Sequence, residues 1–351
     1  MKKLTLLVLA LLPLLAASCS KSATDATHAA NKRQFDAWMQ VHHGDLYDKG
    51  PAGLGYYFLY RNEGTGEAIG EANADEPVYL RVRFTATELD GTILSSSEAS
   101  VARQLGNYKE GNYYGPATWY YPGTYAGLKD ILSGLRTGGS FKAIIPGWLL
   151  TYNSHDTAEE YLAKETGSSA IWEVSVIEKI SQDIHEWELD SLARYLTHRL
   201  PLFFGTDTEA ARADSTAAHG MYVASFSGLP DETPALTDTT VYVEYTGRLL
   251  NGQVFDTNVR DSAVLYGIWQ KDKEYKALPV TLGSHYSDVK LDGSATIKGF
   301  SLLMTQMRAG EKAAGIFYSP LGYDTSGSGD AIPIYSPLRF DVTLVPKPEE
   351  E

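Results

Sequence analysis

A hairpin written twice constrains this chain more than any other feature. Residues 241–258 read VYVEYTGRLLNGQVFDTN: apolar residues alternate along one strand, Asn251-Gly252 supplies a tight turn, and a second strand follows. Such alternation marks a strand with one buried face, and Asn-Gly suits a two-residue turn whose backbone needs positive φ. Residues 78–97, VYLRVRFTATELDGTILSSS, keep the strand, the turn (as Asp90-Gly91) and the second strand. The copying continues downstream. YAGLKDILSGLRTGG (125–139) parallels IKGFSLLMTQMRAGE (297–311), with apolar residues at 128, 131, 132 and 135 in one and at 300, 303, 304 and 307 in the other. Each set marks one face of a short helix, with Gly138 and Gly310 read as C-terminal stops. Apolar strands FKAIIP and AAGIFYSP come next, and alternating strands at 170–180 and 338–345 close the copies. A helix is expected ahead of each copy: Phe35, Trp38, Met39 and His42 share one face, as do Ile184, Trp187, Leu192, Tyr195, Leu196 and Leu200 before Pro201. The expected fold class is α+β: two tandem domains, each an antiparallel β-sheet wrapped over a short helix and each preceded by an amphipathic helix.

The opening segment, MKKLTLLVLALLPLLAAS, has the make-up of a signal peptide: Lys2 and Lys3, an apolar run from Leu4 to Leu15, then small residues. Cys19, the only cysteine in the sequence, follows directly. LAASC resembles the lipobox of bacterial lipoproteins, and the resemblance implies that Cys19 becomes an acylated N-terminus. An ordinary signal with an incidental cysteine is the alternative. Several acyl chains would hold the protein on a membrane, so the expected location is the cell envelope, with Ser20 leaning towards the outer membrane by the same resemblance. No other apolar run is long enough to span a bilayer. One cysteine leaves no internal disulfide, so stability must come from buried cores. The formal net charge is −14 with no basic cluster, which argues against a nucleic-acid partner. The expected boundaries are a signal peptide (1–18), a lipidated tether (19–30), an amphipathic helix (31–50), a first domain (55–182), a helix and linker (183–218) and a second domain (219–347).

With these elements in order, the second copy resembles FKBP-type peptidyl-prolyl isomerases over roughly residues 219–347, through VEYTGRLLNGQVFD, ATIKGFSLLMTQMRAGE, YSPLGYD, AIP and LRFDVTL. The first copy resembles them over roughly 55–182, through GYYFLYRNEGTG, ELDGT and the helix-glycine pattern. The resemblance implies a pocket in the second copy. Tyr245 matches the tyrosine of the family's YTG, and Phe255 and Asp256 match its FD. Thr296 and Ile297 match the pair before the central helix, where the Ile297 amide would face substrate. Phe300 stands where many members have tryptophan. Tyr323 matches the tyrosine of AYG, though LGYD is about a residue shorter. Ile332 matches the isoleucine of IPP, and Phe340 the phenylalanine of the last strand. The stretch 263–280 departs from the family as a long insertion, and its contributions stay unassigned at this level.

Turning an X-Pro amide means crossing about 18–20 kcal/mol of lost resonance with no bond made to the protein. No nucleophile, metal or cofactor is needed, and the sequence shows no G-x-S-x-G, no H-E-x-x-H and no cysteine pair. An aromatic slot for the ring and donors favouring the twisted amide would serve. Phe255, Phe300 and Phe340 would line the slot, while Tyr245, Tyr323 and the Ile297 N–H would address carbonyls. Asp256 would sit beside the twisted carbonyl or orient Tyr245. Taken singly, these residues also read as core aromatics and a turn acid. GTGEAIG at 64–70 lacks the spacing and the following helix of a phosphate loop, and adjacent His42 and His43 point apart on a helix. The DTSGSGD run (324–330) reads as a flexible flap, and WYYPGTY (119–125) either as an exposed aromatic cluster that grips a partner or a sugar or as a buried patch capping the first copy's vacant slot.

The expected function is a folding catalyst that acts on proline-containing unfolded or extended polypeptides, anchored to the membrane, with the helices offering a homodimer surface. The competing reading is a non-catalytic peptide-binding or assembly scaffold of two FKBP-like modules. A glycan binder, suggested only by 23 tyrosines and 6 tryptophans, is a third. In the first copy Phe84 replaces Tyr245, Leu94-Ser95 replaces Phe255-Asp256, Leu128 replaces Phe300, Tyr125 stands for Ile297 and Trp172 replaces Phe340. That copy is expected to keep the fold and lose the chemistry.

Overall fold

A computed structural model describes residues 23–73, 75–199, 219–227 and 234–349. Cys19 and the linker 201–218 lie outside these. The chain divides into two compact units, one of Met1–Ser96 and Trp119–Lys179, the other of Ser97–Thr118 and Ile180–Glu351. The sequence reading places 97–118 within the first domain, whereas it packs with the second.

The first unit opens with helix α1 (Ala23–Lys49), kinked at His43, where φ is −143°. Residues 23–30, read as tether from their small polar composition, belong to this helix. Four of these eight are alanines, the best helix former, and His28 is buried, with Nδ1 2.9 Å from the Glu165 carbonyl. Phe35 and Met39 are the helix's buried face. The strands are β1 (Tyr57–Asn62), β2 (Tyr79–Glu88), β3 (Ile93–Ser96), β4 (Ala117–Tyr120), β5 (Ser140–Ile145) and β6 (Ala170–Ile180), with α2 (Ala99–Gln104) between β3 and β4. They form one sheet in the order β1-β5-β6-β2-β3, with β4 also on β2. Leu80, Val82 and Ala86 are the buried side of β2, as the alternation requires. Over them lies α3 (Ala126–Ser133), which buries Leu128, Ile131 and Leu132. A short helix α4 (Ala158–Lys164) precedes β6, with Thr157 as its N-cap accepting from the Glu160 N–H.

The second unit repeats the plan. Helix α5 (Ile184–Arg199) packs Leu189, Leu192 and Leu196 against Tyr222 and Ile316. The sheet runs β12-β11-β10-β8-β14-β13-β7, with β9 on β8. Its strands are β7 (Met221–Ser225), β8 (Thr240–Leu249), β9 (Val254–Thr257), β10 (Leu278–Thr281), β11 (Lys290–Leu291), β12 (Ser294–Ala295), β13 (Lys312–Phe317) and β14 (Leu338–Val345). Helix α6 (Arg260–Leu265) follows β9, and α7 (Lys298–Gln306) lies over the sheet, burying Phe300, Leu303 and Met304. No described helix is long and apolar enough to cross a membrane.

One local expectation is corrected. Gly138 and Gly310 do not end the helices, which stop earlier, at Ser133 and Gln306. Each glycine is instead the third residue of a turn, at φ 79° and 71°, closed by Gly139 N–H to Arg136 O and Glu311 N–H to Arg308 O. That position in such a turn requires the positive φ glycine allows. The 263–280 stretch, read as a long insertion relative to the family, has a counterpart in the first copy. Its helix-loop-strand plan recurs in the first at one constant offset, α2 starting at Ala99 where α6 starts at Arg260, and β4 at Ala117 where β10 starts at Leu278.

Candidate functional site

The site grows out of the hairpin β8–β9. Along β8 the alternation sends Val243 and Tyr245 inward, and on β9 Thr257 is buried opposite. The hairpin is held by side chains as well as by its ladder. Thr257 Oγ1 donates to the Tyr245 carbonyl at 2.6 Å and lies 3.0 Å from Thr246 Oγ1. Asn258, 3% exposed, accepts from the Tyr245 N–H at 2.7 Å and donates to the Val243 and Lys276 carbonyls at 2.8 and 3.0 Å. One amide thus ties the hairpin to the loop after α6.

On this frame Tyr245 donates its hydroxyl to Asp256 Oδ2 at 2.6 Å. Burial, the Asp256 charge and this hydrogen bond hold the phenol well above the usual tyrosine range, so it stays a donor at any ordinary pH. The other Asp256 oxygen accepts from Lys273 Nζ. Three phenylalanines meet beside the phenol. Phe340 from β14 is the hub, edge-on to Phe255 at 5.7 Å and to Phe300 at 5.4 Å, while Tyr245 lies 6.0 Å from Phe300 and 6.2 Å from Phe340. Edge-to-face contacts at these separations fix ring orientation as well as bury area. Phe317 stacks behind Phe340 at 6.0 Å.

The remaining sequence-derived residues belong to the hydrophobic core of the same unit. Ile332 is buried in it, and Ile297 and Tyr323 pack against it half-buried. Ile297 is the N-cap of α7, with extended backbone, and among the described residues its N–H finds no acceptor. A backbone donor ahead of a helix in this state suits an incoming carbonyl. Tyr323 is raised in pKa by burial and by the Asp256 charge. It opens the 324–330 run, which is built rather than featureless: Ser328 and Ile332 exchange both backbone hydrogen bonds, and Gly327 sits at φ 59° with Ile332 O where a Cβ would be. Of the eight residues singled out from the sequence, Tyr245, Phe255, Asp256, Phe300 and Phe340 meet directly, while Ile297, Tyr323 and Ile332 belong to the same hydrophobic core.

Sequence reasoning missed Lys273, Asn258 and Phe317. Lys273 comes from the loop left unassigned, so nothing in a linear pattern pairs it with Asp256. Asn258 closes the very stretch that defines the hairpin, and a polar residue just past a strand was the available sign. Phe317 sits in the apolar run of β13, where burial hides a role beside Phe340.

The equivalent place in the first unit is filled. Trp119 and Trp172 lie 5.1 and 5.9 Å from Phe84 and 6.0 Å from each other, and Tyr125 closes on Trp172 at 6.1 Å. Among the described residues the buried Trp172 Nε1 finds no hydrogen-bond partner. Trp119 and Tyr125, at either end of WYYPGTY, thus take the capping place expected of that run.

Comparison with known proteins agrees with this geometry. Residues 231–345 match the family model for FKBP-type peptidyl-prolyl cis-trans isomerases. The chain is 33% identical over 118 residues to FK506-binding protein 2 of Dictyostelium discoideum, a match covering 33% of this chain and 72% of that protein. It is 33% identical over 133 residues to a probable FKBP-type peptidyl-prolyl cis-trans isomerase of Haemophilus influenzae, covering 37% of this chain and 44% of the relative. It is 30% identical over 149 residues to peptidyl-prolyl cis-trans isomerase FKBP53 of Arabidopsis thaliana, covering 40% of this chain and 26% of that one. Against the last two, the chain spans less than half of the relative's length. With the matched hairpin, helix and final strand carrying the aromatic cluster, this chain belongs to the FKBP-type peptidyl-prolyl cis-trans isomerase family.

Proposed function

We propose that the second unit catalyses cis/trans isomerisation of X-Pro bonds in unfolded or extended polypeptides, and that the first unit does not. The observation carrying this is the Tyr245–Asp256 hydrogen bond set beside three converging phenylalanine rings. The proline ring seats against Phe255, Phe300 and Phe340. The Ile297 N–H takes a substrate carbonyl and holds the chain on one side of the bond that turns. Asp256, fixed by Tyr245 and Lys273, presents a negative edge to the carbonyl carbon side of the twisted amide, whose lost resonance leaves that carbon more positive. No proton leaves the protein and no covalent intermediate forms. A millionfold acceleration asks for about 8 kcal/mol, a sum that burial and a few hydrogen bonds supply.

The chain acts from the cell envelope, held at its outer membrane by acyl groups on Cys19. Support for this reading is the sequence alone: one cysteine placed directly after a signal-like segment. Replacing Cys19 with serine is expected to move the protein from the membrane to the soluble envelope fraction, and unchanged fractionation excludes the anchor. For the activity, proline-isomerisation kinetics on a Leu-Pro tetrapeptide compare the mature chain with Phe340→Ala. Removing the hub ring is expected to cost about a hundredfold in kcat/KM, about 2–3 kcal/mol of lost ring burial. Equal rates, or no catalysis by the parent, reject the isomerase assignment.

A further inference from the structure

Beside the aromatic cluster lies a cavity of about 560 Å³ that the pocket residues do not account for. Phe255, Asp256 and Ala331 form the end it shares with the proline slot, Trp269 and Tyr275 its wall from the second copy, and residues 108–112 its wall from the first copy. These two walls are copies of one another. Lys109 N–H donates to Tyr114 Oη at 3.1 Å, and its counterpart Gln270 N–H donates to Tyr275 Oη at 2.9 Å. Asn107 N–H to Ala102 O is repeated by Ile268 N–H to Ala263 O. Yet the first loop packs in the second unit: Tyr113 N–H donates to Asp330 O at 2.7 Å, Gln253 Nε2 donates to Gly111 O at 3.1 Å, and Gly267 has Glu110 where a Cβ would stand.

We propose that these two loops extend the proline pocket into a groove that binds an aromatic side chain flanking the X-Pro bond of an extended peptide. The inference rests on the isomerase reading, since the groove continues from that slot. An aromatic occupant follows from what the walls leave open. Lys273 is engaged by Asp256, and Glu110 accepts from the Tyr108 hydroxyl at 3.0 Å. Tyr108 is itself stacked on Tyr114 at 4.9 Å with the Arg103 guanidinium 4.0 Å over its ring, which makes that wall stiff. Trp269, by contrast, is 46% exposed and lines the groove. The apolar Trp269 surface, beside the closed Lys273–Asp256 pair, favours a flat apolar guest, and Lys109, the other cation of the lining, can sit over an aromatic ring.

The test measures binding of fluorescein-labelled octapeptides with a Leu-Pro centre, flanked on both sides by Phe or by Ser, to the full mature chain. The parent is expected to bind the Phe-flanked peptide about tenfold more tightly, the worth of one good aromatic contact. Trp269→Ala on one wall and Tyr108→Ala on the other should each shrink that ratio to about twofold or less. Both side chains are partly exposed, and circular dichroism checks that the variants remain folded. A parent ratio near one, or a ratio unchanged in both variants, overturns the proposal. Catalysis of the tetrapeptide is followed in parallel. A large ratio without catalysis supports the groove while removing the isomerase reading, and catalysis without a ratio does the reverse.

Discussion

The two copies of the hairpin share their carpentry and differ in what they hold. In the first, Thr85 and Ser96 hydroxyls lie 2.8 Å apart across the ladder and Ser96 donates to the Phe84 carbonyl. In the second, Thr246 and Thr257 do the same, and Thr257 donates to the Tyr245 carbonyl. What hangs on this frame is exchanged wholesale. The phenol, the acid and its lysine become Phe84, Ser95 and Asn112, at the same offset that relates Ala99 to Arg260. Acid and base are both absent from the first copy, so neither is left there without the other. The lesson is that this sheet does not need its pocket: folding and chemistry occupy different side chains of the same strands.

That separation can be broken at several places. The largest effect is expected from the cores. Ile131 and Leu303 are buried at equivalent points of α3 and α7, so Ile131→Ala and Leu303→Ala should each cost about 2–5 kcal/mol. Calorimetry should show each variant lowering a different transition, and a common shift in both would mean that the copies do not fold as separate units.

Next comes a difference between the leading helices. Helix α1 packs through Phe35 and Met39, whereas α5 buries Glu188 fully, its carboxylate accepting from the Ser319 N–H and hydroxyl at 2.6 Å each. Burial pushes this carboxyl up to about 7, against the opposing pull of the Ser319 hydrogen bonds. A folded value above the unfolded one means the contribution is fully present below the unfolded value, about 4.5, and is lost as pH rises through about 7. Stability of the second unit should therefore fall by about 3 kcal/mol across that window. Glu188→Gln should flatten this slope in denaturant titrations, and a slope that persists would assign it to another group.

Smaller still is the effect of Asp256→Ala. It frees the Tyr245 hydroxyl and Lys273, and kcat/KM for proline isomerisation should drop about tenfold or more with the fold intact. The smallest effect expected is none. Leu94→Phe with Ser95→Asp, in a chain that also carries Phe340→Ala, should not recover isomerase activity, because Trp119 and Trp172 still occupy the first slot. Recovery would show that the first copy lost only its acid and one ring.

How much of this the sequence discloses depends on how local the information is. Alternation in β2 and β8, the Asp90-Gly91 and Asn251-Gly252 turns and the apolar faces of α3 and α7 are set by neighbours within a few residues, and they are readable. The pocket residues are readable because five short motifs carry them in order. Glu188 is not: apolar periodicity marks Leu192 and Leu196 but is blind to a carboxylate on the same face whose partners lie 131 residues away. Lys273 is hidden for the same reason, its meaning supplied by a hairpin it meets only in three dimensions. The grouping of 97–118 with the second unit is the extreme case, since every sequence cue in that segment matches its own copy.

That segment changes what counts as a removable part. A cut at residue 183 looks clean along the chain, yet it would strip the second unit of Tyr113 on Asp330 and of Gly111 on Gln253, leaving Phe255, Asp256 and Trp269 open on one side. A duplicated gene normally frees one copy to decay or be deleted. Here the copy with the filled slot has lent a loop to the copy with the candidate site, and losing it would injure the copy that remains.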